Sequence, residues 1–496
     1  MLAQKLILGY SSRIVAQMIA MIAGIVVARV AGPTVVGTVA FGMSLVSMFT
    51  FFADLGIGNA HIKIVSEGRN LGDCIKTFSV LKSILIILFI VLVILYLVVK
   101  EYVFHIQYES RTHFYVIIIW LVAITISQFL YIPIITFMAL TQQARQDVPN
   151  LLQIVLTQVL KIVAVLIAAS AIALSFANLL GVILVLPLYL YLFKDFKIGH
   201  FDKNLARDYV KIAAPMIIMV LHGTFIGYFD KFLLQYFSNS EQVGYYAVAF
   251  SIGSLIQIVG LAVGQIFFPT FSSSVVKKDY DYINRTIDKY ERFIYVFLMP
   301  IVIFLILYSQ VLIKILLGKD FISSGPVLVV IFLGAFVFVA NQHYGNLLLG
   351  AGYINKSARL SLYSLIFFVL LNLFFVAPQM LHLKAIGSAL AWSINYLFLG
   401  VFFRIYVWQL IKEVTILRNI KYWLFGILNV ALFFLFLKYI AVRVNYLEFI
   451  FPVVYFGITY LAYYLLKMAN KEDINFALRI FDVRSMKEYI KNEFKR

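Results

Sequence analysis

Lys161 sits in L151-L-Q-I-V-L-T-Q-V-L-K-I-V-A-V-L-I167, a stretch with no other charge. An ammonium group in hydrocarbon costs a few kcal/mol unless it meets protein or water. A span over 151–173 puts Lys161 about eleven residues, roughly 16 Å, from either end, too far for its stem to snorkel to the headgroups. Asn150, Gln153, Thr157 and Lys161 recur every three or four residues, so they share one helix face, with Gln158 beside them. That face reads as hydrated. It suits a cavity-lining cation that meets an anionic group, or a structural lysine bonded to carbonyls or to Asp54.

Other polar residues break the apolar runs. Arg13, Gln17, Ala20, Gly24 and Ala28 form a polar and small stripe, which fits a cavity wall or close helix packing. Arg13 also reads as a positive-inside anchor and Arg29 as an interfacial one. Ser44, Ser47 and Asp54 share a face, as do His222 and Asp230. Asp54, Asp230 and His222 are the candidate ion or proton sites. Their structural alternatives are an end-of-helix acid beside a base for Asp54 and an ion pair with Lys231 for Asp230. Gly223 and Gly227 make a G-x-x-x-G that marks helix packing. Ser251, Ser254, Gln257 and Gln265, with Asn341, Gln342, His343 and Asn346, suit sugar hydroxyls or interhelical hydrogen bonds.

The elements that position these residues follow from composition. The 496 residues are 63% hydrophobic and 13% charged, with a mean hydropathy of +0.96. A soluble domain is roughly half apolar and a quarter charged, so the bilayer is the solvent here. Apolar runs long enough to cross it as helices fall at 6–30, 35–55, 78–98, 114–140, 151–173, 176–193 and 212–237, then at 243–271, 293–317, 327–349, 360–377, 385–408, 422–440 and 447–466. The expected fold is an all-α polytopic membrane protein with about fourteen transmembrane helices.

The first span is too long for a secretory h-region and lacks a small-residue cleavage site after it, so it is expected to act as a signal anchor. The net charge of +18 does not point to nucleic acid, because the basic residues follow topology. With the first span entering from the cytoplasm, about 31 Lys and Arg fall in cytoplasmic segments and about 9 outside, which predicts both termini inside. The single Cys74 allows no intramolecular disulfide. There is no G-x-x-x-x-G-K-[ST], no H-E-x-x-H and no acidic pair in a long loop. No enzyme site, metal or cofactor is expected.

The sequence also repeats. V36-G-T-V-A-F-G-M-S44 opens the second span and V243-G-Y-Y-A-V-A-F-S251 the eighth, and the register persists at T141-Q-Q-A-R-Q-D147 and G350-A-G-Y-I-N-K356. Two six-helix lobes, 1–200 and 201–412, are implied, and an even number of spans per lobe makes the repeat parallel. Residues 413–467 add two helices, and 468–496 read as a basic amphipathic or simply solvated cytoplasmic tail.

A28-R-V-A-G-P-T-V-V-G-T-V-A-F41 and F52-A-D-L-G-I-G-N59 resemble the opening of bacterial Wzx-type polysaccharide flippases. A214-P215, F229-D-K-F-L-L-Q-Y-F237, I315-L-L-G-K-D-F321, N372-L-F-F-V-A-P378 and A385-I-G-S-A-L-A391 extend the likeness over roughly the first 410 residues. That family belongs to the multidrug/oligosaccharidyl-lipid/polysaccharide export superfamily. The resemblance implies two lobes around a central cationic cavity that moves undecaprenyl-pyrophosphate-linked oligosaccharide from the inner to the outer leaflet by alternating access. It implies a monomer in the bacterial cytoplasmic (inner) membrane, working beside a polysaccharide polymerase, a ligase and glycosyltransferases. The expected cavity residues are Lys161, Arg13, Arg29, Gln17, Gln153, Gln158, Gln257 and Asn341. Two rivals are a multidrug/cation antiporter of the same superfamily, disfavoured because the first span carries no Asp or Glu, and a membrane-embedded polymerase or glycosyltransferase, disfavoured by short external loops poor in acid.

Overall fold

The first two expected spans lie on one helical path broken at a single point. In α1 (Leu2–Asp54), Gly32 adopts φ 77°, ψ 171°, and Pro33 follows it. Only glycine enters that region cheaply, and proline cannot donate the amide that would carry a helix through. The break separates the run ending near Val30 from the one starting near Val35. The computed structural model describes residues 2–105, 107–277, 279–410, 424, 426 and 447–465.

After α1 come α2 (Ile57–Ser66), α3 (Leu71–Val98), α4 (Arg111–Ala139), α5 (Gln143–Ile167), α6 (Ala171–Phe193) and the amphipathic α7 (Lys203–Ala213). The second half holds α8 (Ile217–Phe237), α9 (Ser240–Val276), α10 (Tyr280–Phe293), α11 (Met299–Leu307), α12 (Ser309–Leu317), α13 (Ser324–Gly350), α14 (Ile354–Val376) and α15 (Lys384–Leu410). A final helix, α16, covers Leu447–Leu465. The described residues form no strand, and ten helical stretches are long and apolar enough to cross a membrane. The chain is a multi-pass, all-helical membrane protein.

α3 illustrates how bilayer solvent shapes these helices. Ile84, Ile87, Val91 and Leu95 point outward, each about half exposed, while Phe78, Lys82, Phe89 and Val93 are wholly buried on the other face. An apolar stripe facing outward is stable only against lipid.

Several span boundaries differ from expectation. The fifth span runs 143–167 rather than 151–173, because the chain extends at Ala168 and Ser170 caps α6 by accepting from the Ala173 amide at 3.2 Å. The seventh tightens into a 3-10 turn at Ala214–Met216, where Pro215 sits, and the ninth divides at Tyr308. The thirteenth expected span, apart from Leu424 and Gly426, and the basic tail lie outside the described residues.

α1 and α9 are the central pair. α1 packs against α9, α5, α8 and α4, and α13 packs against α9 and α15. The repeated glycines of the two V-G motifs meet here. A Cβ on Gly37 would lie 1.6 Å from the Ser240 carbonyl oxygen, and one on Gly244 would lie 2.0 Å from the Pro33 carbonyl oxygen. Hydrogen side chains let the two backbones touch beside the kink of α1.

Candidate functional site

Just below that glycine contact, the two chain halves enclose a cavity of about 270 Å³. α1 lines it with small and apolar residues on both sides of its kink, among them Ala20, Gly24, Val36 and Ala40. Ala247, Val248 and Ser251 of α9 face them. The polar groups are few: the Lys161 ammonium and Gln158 amide from α5, the Ser251 hydroxyl, and the Trp120 indole from α4.

Lys161 makes no hydrogen bond or ion pair with the described residues. The buried Trp120 indole N–H likewise has no partner. A cation and a donor that share one mostly apolar chamber, neither engaged by an acceptor among the described residues, are equipped to receive an anionic or oxygen-rich group. The shorter α5 changes the depth argument, because Lys161 lies six residues, about 9 Å, before Ile167 rather than mid-span. It still turns inward to the cavity.

The hydrated face expected on α5 is narrower than the spacing suggested. Thr157 is buried against α6, where Gly181 gives it room: a Cβ there would fall 2.0 Å from Thr157 Oγ1. Gln153 is half-buried and does not line the cavity, leaving Gln158 and Lys161 as the α5 wall. Gln17 is half-buried one turn from the Ala20 wall, and the Arg13 side chain lies outside the described residues. Arg29 is exposed near the kink and does not line the cavity. Gln257 has a buried amide nitrogen without a hydrogen-bond partner, also off the wall.

Asn341 lies elsewhere, in a buried polar cluster. Its Oδ1 accepts from Arg404 Nε at 2.7 Å, while another Arg404 nitrogen donates to Glu291 at 3.0 Å. The Tyr344 hydroxyl donates to the same Glu291 oxygen at 2.8 Å. Gly400 permits the close α13–α15 approach, since a Cβ there would meet Asn341 Nδ2 at 2.5 Å.

The three candidate coupling residues are separated rather than gathered. Asp54 lies 3.5 Å from Lys82 Nζ, which also donates to the Ala53 carbonyl at 2.7 Å and Gln128 at 2.8 Å. Asp230 is fully buried, 3.1 Å from Lys231 Nζ and hydrogen-bonded by the Tyr246 hydroxyl. His222 bonds Ser364 at 3.0 Å, and Ser364 in turn donates to Asn395. None lines the Lys161 cavity. Sequence reasoning missed Lys82, Glu291 and Arg404 as membrane-buried charges, because near span ends they read as topology signals.

Residues 26–326 match the family model described as polysaccharide biosynthesis protein. The chain belongs to that family. It is 26% identical over 276 residues to an uncharacterised membrane protein of Methanocaldococcus jannaschii, covering 54% of this chain and 53% of that one. It is 24% identical over 232 residues to a putative O-antigen transporter of Shigella flexneri, covering 46% and 53%. The chain thus spans about half the length of the curated relatives it matches. In three dimensions it resembles the lipid II flippase MurJ in an inward closed conformation, with TM-score 0.73, 15% identity, and coverage of 93% of this chain and 98% of that chain. It also resembles an inward-facing MATE family multidrug transporter, with TM-score 0.61, 14% identity, and coverage of 81% and 96%. The fold is the one seen in these solved membrane transporters.

In this polysaccharide biosynthesis protein a clasp holds the halves together above the cavity. Glu109, in the α3–α4 loop, accepts from the Ser240 amide at 2.9 Å, the Ser240 hydroxyl at 2.7 Å and the Gln235 amide at 3.0 Å. His113 Nε2 lies 2.8 Å from the Ser240 hydroxyl and Ser110 lies 3.1 Å from Nδ1. Since Ser240 donates to Glu109, the network assigns the proton of a neutral His113 to Nε2. Burial pushes the Glu109 carboxyl upward, but the Ser240 and Gln235 hydrogen bonds, with His113 nearby, hold it below its ordinary value.

Proposed function

We propose that this protein is a flippase for undecaprenyl-pyrophosphate-linked oligosaccharide, moving the headgroup from the inner to the outer leaflet by alternating access between lobes 1–200 and 201–412. The observation that carries this reading is the unpartnered Lys161 ammonium in a cavity walled by both chain halves. A pyrophosphate sugar cannot cross hydrocarbon alone, because its charges would lose their hydration. Lys161, helped by Gln158, Trp120 and Ser251, compensates the headgroup while the prenyl tail stays in lipid. A 270 Å³ space is too small for a linked oligosaccharide, so the halves must part to load it.

The topology that fits is cytoplasmic entry of the first span, which puts the α1 kink and the Glu109 clasp on the outer side of a bacterial cytoplasmic membrane. The protein works as a monomer beside the enzymes that build and polymerise its substrate. A pyrophosphate cargo favours a cationic cavity, whereas a cation antiporter needs an unpaired acid there. Asp54 and Asp230 are both paired with lysines outside it.

Proteoliposomes carrying a fluorescent undecaprenyl-pyrophosphate oligosaccharide test the proposal. The wild type should flip it, and Lys161→Ala should slow flipping roughly 10- to 100-fold, the scale of a lost charge-assisted hydrogen bond. Exchange of an organic cation, with no movement of the lipid-linked sugar, would replace this reading with the antiporter.

A further inference from the structure

A second cavity, of about 410 Å³, lies between the end of α3 and the start of α4. It falls within the roughly 300–1,000 Å³ range of small-molecule sites and shares no wall residue with the Lys161 chamber. Its polar walls are Glu101, Gln107, Ser110 and Arg111. Glu101 and Arg111 both face it, yet neither makes an ion pair with the described residues. The Tyr108 hydroxyl is buried there without a hydrogen-bond partner. Two adjacent rings, Phe114 at 39% and Tyr115 at 53% exposure, complete the wall.

This set of groups selects a ligand class. An anion would face Glu101, a cation would face Arg111, and an apolar chain would strand both charges and the Tyr108 hydroxyl. A neutral polyhydroxylated ring satisfies all of them. Vicinal hydroxyls pair with a carboxylate, a guanidinium or an amide, and the C–H face of the ring lies on an aromatic side chain.

We propose that this pocket is a saccharide-binding site, which in the topology proposed above receives the glycan on the outer face. That placement rests on the flippase reading; the ligand class rests on the pocket itself. The site is also connected to the clasp. The Tyr108 ring stacks on His113 with centroids 6.2 Å apart and planes 5° apart, and His113 bonds Ser240 of the other half. Lys100 Nζ lies 2.9 Å from the Tyr108 ring centroid, so sugar meets the network that closes the outer end through the Tyr108 hydroxyl and not by stacking on that ring.

Saturation-transfer NMR on the full chain in nanodiscs, probed with rhamnose, N-acetylglucosamine and chitotriose, tests the site. At least one sugar should receive saturation from the protein, and Tyr115→Ala and Arg111→Ala should each weaken its binding roughly fivefold or more, the scale of one stacking or polar contact. Both side chains are on the surface, and an unchanged thermal melt confirms folding. Lys161→Ala should leave the sugar signal intact, so a failed flippase reading and a failed sugar site give different results. Absence of transfer from every sugar, or transfer that both pocket variants leave unchanged, overturns the proposal. So does competition by glycerophosphoethanolamine alone, which would assign the pocket to a lipid headgroup.

Discussion

Two lysines in the first half of the chain, Lys82 and Lys161, sit inside membrane helices and have opposite surroundings. Lys82 is wholly buried and caged by a backbone carbonyl, the Gln128 amide oxygen, the Asp54 carboxylate and the face of Tyr131, 4.4 Å from its ring centroid. Lys161 has none of these and faces an open chamber. A caged ammonium has its desolvation cost offset by its neighbours and contributes to the fold. An uncaged one carries that cost until something else arrives. Under the proposed function, the membrane charge that serves transport is the one the protein leaves unpaired.

The largest expected effect separates the two lysines by what is lost. Lys82→Met removes the cation and strands Asp54 and two oxygen acceptors, so it should destabilise the protein by about 3–5 kcal/mol. Thermal melts in nanodiscs would report this, with transport falling only as folded protein is lost. Lys161→Ala should leave stability unchanged or raise it, since no partner is left behind and an uncompensated charge is removed, while slowing transport roughly 10- to 100-fold. If both variants melted alike, the distinction between caged and open lysines would fail.

Lys161 was readable in sequence because it is the lone charge in a long apolar run. Lys82 was not, because it is close enough to a span end to count as a cytoplasmic anchor, and its partners lie 28, 29 and 46 positions away. Arg404 and Glu291 were hidden in the same way, being 113 positions apart. The α1 break was legible in the Gly32-Pro33 pair. The end of α5 was not, since the chain leaves the helix at A168-A-S-A171 without any drop in apolar character, and hydropathy marks lipid contact rather than hydrogen bonding. The V-G repeat implied two halves, and the structure brings its two glycines to one contact, Gly37 at Ser240 and Gly244 at Pro33.

The second expected effect concerns access to the open lysine. Gly37→Val would drive a side chain into the Ser240 carbonyl, an overpacking cost of about 1–3 kcal/mol borne only when the halves are closed. In the proposed topology the outer end should open. A maleimide added outside should label Ser251→Cys, on the cavity wall, roughly 5- to 100-fold faster in that background. Native Cys74, buried two turns from Lys82, serves as the internal control and should stay unlabelled. Acceleration at both positions would mean general loosening rather than a gate over Lys161.

The smallest expected effect is titration of the clasp. Glu109 is held below its ordinary value of 4.5 by Ser240 and Gln235, with the net direction downward despite burial. A depressed carboxyl contributes to closure above its ordinary value, and that contribution disappears as pH falls through the lower clasped value. Spin labels on Tyr115→Cys and Tyr236→Cys, exposed positions in opposite halves, should keep a short distance at neutral pH and gain a longer population below 4.5. Glu109→Gln should show part of that longer population at every pH, because an amide is a weaker acceptor for the Ser240 amide and hydroxyl. The change should be smaller than for Gly37→Val, since the Glu109 side chain is 42% exposed and water replaces much of what it loses. A distance unmoved by both pH and Glu109→Gln would leave the glycine contact as the gate over Lys161, with Glu109 reduced to a cap on α9.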